Sequence, residues 1–211
     1  MKKTESVILA IFAMCVAVTA SNILVQYPFS WFGLEHVLTY GAFIYPFAFL
    51  INDLTNRRFG PQIARYVVYA GFIAGLGVSW ILATPRLAIA SGSAFLFAQL
   101  LDIAVFSPLR QRTWWQAPLA AALAGSVLDT LIFFGLAFAP VFGFIDTATG
   151  LPDQSIAGTT AFWGGNIAIW LSLAIGDFWV KVAMAIFMLL PYGTFLALFS
   201  PATYNKSKVS K

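Results

Sequence analysis

Five acidic, basic or amide groupings interrupt sequence that is otherwise apolar. Asp177 and Lys181 stand four residues apart with the acid first, the better order for an ion pair along a helix face. Gln99 and Asp102 are three apart, Asn22 and Gln26 four apart, and Asp53 and Arg57 four apart. Asp129 stands alone in the run from Thr113 to Ile145. A charge in hydrocarbon costs at least ~2.5–3.5 kcal/mol on insertion scales. Such residues therefore belong against a protein interior or an aqueous cavity. There they can hold a polar solute, because a carboxylate accepts two N–H donors in a fork and an amide offers both donor and acceptor.

Each grouping also has a plainer reading. Asn22 and Gln26 can bond neighbouring helices, worth about 0.6 kcal/mol per contact. Asp53 and Arg57 can form an ion pair at the inner end of a helix, or a gate. Asp102 can pair with Arg57, Arg58 or Arg110, and Asp177 with Lys181 can be self-neutralising. Trp163, Trp170 and Trp179 can stack on a flat ring or sit in the interfacial belt typical of tryptophan.

The elements that must position these residues are membrane helices. Of 211 residues, 60% are hydrophobic and 9% charged, against about 25% charged in soluble domains, which excludes an ordinary soluble protein. A spanning helix needs about 20 apolar residues. The runs predict one all-α membrane domain over 1–211 with six spans, near 7–27, 38–54, 63–83, 88–107, 115–140 and 177–199. Glycines at 158, 164 and 165 weaken the stretch 157–175, which is expected to be a re-entrant or interfacial helix. Ten of the twelve basic residues then fall on one side, all but Arg86 and Lys181. By the bias of Lys and Arg toward the cytoplasm, both termini are expected inside. The N-terminal run resembles a signal peptide, with Val18-Thr19-Ala20 at the cleavage position. It continues through Ile23-Leu24-Val25 and is long enough to span.

Small residues mark packing faces. Gly71 and Gly75 form a GxxxG pair, and Ala117, Ala121, Gly125 and Asp129 descend one face in four-residue steps. That ladder turns Asp129 toward neighbouring helices. Pro46 removes a backbone donor from the second span and can kink it.

Several chemistries are absent from the pattern. One histidine and one cysteine cannot build a usual zinc site or an internal disulfide. No Gly-x-Ser-x-Gly elbow, phosphate-cradling loop or HExxH occurs, so no ATPase module is encoded. A net charge of +4 gives no argument for nucleic acid. The expected partners are a small molecule and the lipid bilayer; association with further copies of the chain is compatible with the sequence. Neither metal nor cofactor is expected.

Several segments together resemble the queuosine precursor transporter family, also called the vitamin uptake transporter family. They are Ser21-Asn22-x-Leu24-Val25-Gln26, Gly41-Ala42-Phe43-x-x-Pro46-Phe47, Asp53-Leu54-Thr55-x-Arg57-x-Phe59-Gly60, Gln99-x-Leu101-Asp102, Val105-Phe106-x-x-Leu109-Arg110, Trp114-Trp115-x-Ala117-Pro118, Gly125-x-Val127-x-Asp129-Thr130 and Asp177-x-x-x-Lys181-Val182. The family often has Asn and Ser where this chain has Ser126 and Leu128, and the loop from Val141 to Trp163 aligns poorly. The resemblance implies import of 7-cyano-7-deazaguanine or 7-aminomethyl-7-deazaguanine across a bacterial inner membrane. It implies a fold similar to substrate-binding subunits of energy-coupling-factor transporters, acting without their ATPase. Substrate contacts would come from Asn22, Gln26, Gln99, Asp102, Asp129, Asp177 and Lys181, with Asp129 or Asp177 reading the ring donors. Two other readings stand beside it: a capture subunit energised by a partner, and a membrane-embedded enzyme using its carboxylates as acid and base.

Overall fold

A computed structural model describes residues 3–25, 27, 29–31, 39–150, 158–162 and 165–199. Its long helices are α1 (Lys3–Leu24), α2 (Gly41–Phe59), α3 (Pro61–Leu82), α4 (Pro85–Leu109), α5 (Gln116–Phe138) and α7 (Ile169–Phe199). A 3₁₀ turn (Pro140–Phe142) and the short α6 (Phe144–Thr149) follow α5.

Local chemistry sets the boundaries. Gly60 ends α2 at φ +89, its N–H on the Asn56 carbonyl at 2.9 Å, and Pro61 opens α3. The left-handed φ suits glycine, and a helix's first position tolerates a missing N–H. Thr84 caps α4 by accepting from the Leu87 N–H, with Pro85 at the first helical position.

The bundle is inverted relative to a soluble protein. Ile8, Phe12, Ile73, Ile81, Leu131, Leu190 and Leu198 face outward, whereas Asn52, Asp53, Asn56, Gln99, Asp102 and Asp129 are buried. α1, α3, α4, α5 and α7 are long and apolar enough to cross a membrane. α2 falls short of that measure because its second half reads Asn52-Asp53-Leu54-Thr55-Asn56-Arg57-Arg58. It turns those polar residues inward instead, burying Asn52, Asp53, Thr55 and Asn56.

One apolar core joins Met14 and Val18 of α1 to Ala48 of α2, Val67 and Val68 of α3, and Phe95 and Ile103 of α4. Another joins Phe106 of α4 and Ala117 and Ala121 of α5 to Tyr192 and Leu196 of α7. The small-residue faces pack as their spacing predicts. Gly71 and Gly75 receive Met14 and Val18 of α1, and Gly125 receives Phe49 of α2. Ala17, Val18 and Ser21 are buried, so the stretch resembling a cleavage site is part of the packed bundle. At one end of the bundle the Ser21 hydroxyl donates to the Gly41 carbonyl. A Cβ on Gly41 would stand 2.7 Å from the Val25 nitrogen and 2.8 Å from the Ser21 carbonyl oxygen. Both are main-chain atoms that cannot swing away, so Gly41→Ala is expected to push α1 from α2. The expected cost is about 1–3 kcal/mol, read as a lower unfolding temperature in detergent.

The stretch 157–175 departs from the expected helix. Residues 159–162 pair antiparallel with 165–168, Thr159 opposite Ala168 and Phe162 opposite Gly165. α7 begins at Ile169, eight residues before the expected start. Two β-branched threonines and the glycines at 158 and 165 are poor in a helix interior and suit a short ladder. From Ile169 onward the sequence is free of such breakers until Gly176, and the helix runs through it.

Candidate functional site

The α5 ladder brings Asp129 to the face where α2 and α7 meet, and one turn of α7 brings Asp177 and Lys181 to the same place. The Lys181 Nζ lies 2.5 Å from Asp129 Oδ2, and it also pairs with Asp177 Oδ2. The i,i+4 pair therefore forms as its spacing predicts, and a third charged partner from α5 joins it. The Tyr45 hydroxyl of α2 donates to Asp129 Oδ1 at 2.7 Å, and the Thr130 hydroxyl donates to Asp177 Oδ2 at 2.9 Å. Lys181 also donates to the Thr130 hydroxyl oxygen at 3.3 Å and lies 5.9 Å from the centre of the Tyr45 ring. The ammonium thus ties α7 to α5, and the Tyr45 hydroxyl ties α2 to the same Asp129.

Two carboxylates against one ammonium leave one net negative charge when all three are ionised. Buried ion pairs persist only where hydrogen bonds complete them, and here Tyr45 and Thr130 do so. Thr130 entered the sequence reading only as the end of the motif Gly125-x-Val127-x-Asp129-Thr130, and Tyr45 did not stand out at all; its only signal was position, directly before Pro46.

A cavity opens beside this centre between α2, α5 and α7, with about 460 Å³ of free space, part of it continuous with the exterior. Tyr45, Ser126 and Lys181 line one part, Asp53 and Tyr192 another, with Pro46, Phe49 and Met188 as apolar wall. Mostly apolar walls with a few placed polar groups are the usual make-up of a small-molecule site. Tyr45 also borders a smaller cavity of about 270 Å³ with Ser21, Asn22, Ser91 and Phe95. Its ring therefore stands between two cavities while its hydroxyl is held by Asp129. Tyr45→Phe deletes only that hydroxyl, and a hydrogen bond to a charged group is worth about 1.5–3 kcal/mol. The variant is expected to lose that much stability in thermal unfolding, with its ring packing on Phe49 and Phe95 preserved.

The other expected site residues are not gathered here. The Asn22 amide donates to the Gly75 carbonyl at 3.2 Å, a bond between α1 and α3, while bordering the smaller cavity. Gln26 and Trp163 lie outside the described residues. Trp179 is exposed, in keeping with a belt position. Gln99 and Asp102 sit between α4 and α2, fully buried and not on the cavity wall. Asp102 makes no ion pair with Arg57, Arg58 or Arg110 among the described residues. Its Oδ2 accepts from the Asn52 amide at 2.9 Å, and Asp53 is close enough to act on it electrostatically. The expected Asp53–Arg57 ion pair does not close. The Arg57 guanidinium lies 5.3 Å from the Phe106 ring centre and 5.6 Å from that of Tyr192, and donates to the Trp114 carbonyl at 3.5 Å. Helical spacing permits a pair, but the aromatic rings and that carbonyl claim the guanidinium while Asp53 turns to α4.

Arg86, one of two basic residues outside the inner set, is buried at the start of α4. It donates to the carbonyls of Leu136 and Ala139 at 2.8 and 2.7 Å and pairs with Asp146 at 2.6 Å. It thus satisfies the open carbonyls at the end of α5 and fastens the segment beyond. Among the described residues no three His, Cys, Asp or Glu side chains converge as a metal site.

An apolar exterior around buried charges, with a cavity that reaches Asp53 and Lys181, marks a multi-pass membrane protein. Residues 39–84 and 78–195 match the family described as "Putative vitamin uptake transporter", and the chain belongs to it. The chain is 34% identical to the "Queuosine precursor transporter" of Escherichia coli (strain K12), over 92% of this chain and 87% of that protein. It is 33% identical to the "Probable queuosine precursor transporter" of Haemophilus influenzae, over 65% of this chain and 72% of the relative. It is 27% identical to the similarly named protein of Bacillus subtilis (strain 168), over 60% of this chain and 66% of the relative. No solved structure matches the chain significantly.

Proposed function

We propose that this transporter imports a 7-deazaguanine precursor of queuosine, 7-cyano-7-deazaguanine or 7-aminomethyl-7-deazaguanine, across the bacterial inner membrane. All six long helices span in this reading, α2 included, because its polar half is covered by neighbours rather than lipid. Both termini lie in the cytoplasm, and the arrangement is like that of energy-coupling-factor substrate subunits but works without an ATPase partner.

The observation that carries the reading is the Asp129–Lys181–Asp177 centre, which reaches the wall of the α2–α5–α7 cavity through Lys181 and through Tyr45, the donor to Asp129. A deazaguanine presents adjacent ring N–H and exocyclic NH₂ donors, which a carboxylate accepts in a fork. In this reading Asp129 or Asp177 exchanges a protein partner for the ring, and Tyr45 leaves Asp129 as the base arrives. The net negative charge of the centre also suits the aminomethyl cation of one precursor. Names given to relatives of this chain support the substrate class.

The test is the queuosine content of tRNA in a host lacking both precursor synthesis and its own importer. The host receives nanomolar precursor with or without this gene. Restored queuosine is the expected result. A tRNA pool without queuosine, despite protein in the membrane, would remove deazaguanines as the substrate.

A further inference from the structure

A second polar centre lies between α2 and α4, and the ring-binding reading makes no use of it. Asp53 of α2 and Asp102 of α4 are 3% and 0% exposed and close enough to act on each other. Asn52, fully buried, holds Asp102 Oδ2 at 2.9 Å and the Gln99 backbone carbonyl at 3.3 Å through the same amide nitrogen. Gln99 lies one turn before Asp102, fully buried, and neither atom of its side-chain amide has a hydrogen-bond partner. Side-chain oxygens of all four residues are unpartnered: Asn52 Oδ1, Asp53 Oδ1, Gln99 Oε1 and Asp102 Oδ1.

Four buried acceptor oxygens without donors call for a cation or a proton, since an unmet buried polar group costs about 1–3 kcal/mol and more if charged. Charge gives the valence. Asp53 and Asp102 contribute minus two when ionised, and Arg57, near enough to act on Asp53, contributes plus one. One negative charge remains. Among the described residues Tyr192 of α7 is also titratable and close to the pair, and Lys181 lies on the wall of the cavity that Asp53 reaches. Oxygen-only ligands suit hard cations, and buried carboxylates in membrane helices commonly mark ion or proton pathways. We propose that Asn52, Asp53, Gln99 and Asp102 form a buried monovalent-cation site, taken by a proton or a sodium ion, whose filling drives the solute through the adjoining cavity. The driving role rests on the transport reading above; cation binding itself does not.

Purified full-length protein in liposomes tests both. Uptake of radiolabelled 7-cyano-7-deazaguanine is measured under a tenfold inward gradient of protons in one arm and of sodium in the other, with membrane potential clamped. One-for-one coupling supports about tenfold accumulation in the arm that supplies the right cation. Asp102→Asn should bring the ratio of uptake with and without that gradient to one. Gln99→Ala, which keeps both carboxylates, should lower it. A ratio of one in both arms for wild-type protein that exchanges the base downhill overturns the proposal. If wild-type protein moves no deazaguanine, the substrate reading falls, and cation binding in detergent decides this one. Saturable sodium binding, or proton uptake and release, that is lost in Asp102→Asn supports the site. Identical titrations of wild type and Asp102→Asn, with no saturable sodium binding, overturn it.

Discussion

Lys181→Met is expected to remove a large share of the bundle's stability and with it much of the folded protein in the membrane. The ammonium is the only cation against Asp129 and Asp177 among the described residues. Methionine keeps much of the volume of the stem and removes the charge. Asp129 would retain the Tyr45 hydroxyl and Asp177 the Thr130 hydroxyl, yet two adjacent carboxylates would face each other in a low dielectric. Breaking a buried pair by deleting one partner costs about 3–5 kcal/mol, against a total stability of about 5–15 kcal/mol. Size-exclusion chromatography of detergent-extracted protein reads the outcome as loss of much of the monodisperse peak. Adding Asp129→Asn and Asp177→Asn to Lys181→Met removes the charges together and should restore the peak without restoring uptake. A single Lys181→Met variant that melts with the wild type would show that this centre does not hold the bundle together.

Asp129→Ala should have the opposite profile. Lys181 keeps Asp177 and the Thr130 hydroxyl, so the remaining pair is neutral and the helices stay tied through α7 and Thr130. The fold is expected to survive with a smaller loss than Lys181→Met causes. What disappears is the acceptor that holds Tyr45 and Lys181 beside the cavity. A lost charge-assisted contact of about 3 kcal/mol corresponds to more than a hundredfold, so radiolabelled precursor uptake should fall at least about a hundredfold, to background. Normal uptake by a correctly inserted Asp129→Ala protein would remove Asp129 from the site. The two variants together separate a residue that holds structure from one that meets the solute, although both belong to one ion cluster.

Much of this molecule is readable along the chain because its signals are local. Apolar runs near bilayer length predict long helices, and the structure has them at α1, α3, α4, α5 and α7. Ala117, Ala121, Gly125 and Asp129 predict one inward face at four-residue steps, and all four are buried. Asp177 and Lys181 predict their own ion pair, since a single helical turn brings them together.

Contacts between helices were decided elsewhere. Nothing within α2 indicates that Tyr45 meets Asp129 eighty-four residues on, or that Asp102 takes Asn52 rather than an arginine. Arg57 has helical spacing to Asp53 but is drawn to Phe106, Tyr192 and the Trp114 carbonyl, on three other segments. The stretch 157–175 was ambiguous for a related reason. Its glycines and threonines weaken a helix without choosing a strand, and pairing of 159–162 with 165–168 supplies what local propensity lacks. By itself the sequence determined which stretches form long apolar helices and that Asp129 shares an inward face of α5 with its small-residue ladder, because helical periodicity and the cost of a charge in an apolar setting act residue by residue. Which buried polar groups meet was decided only by tertiary structure. Several donors and acceptors compete for each partner, and the packing of α2, α4, α5 and α7 settles which lie within a hydrogen bond's length.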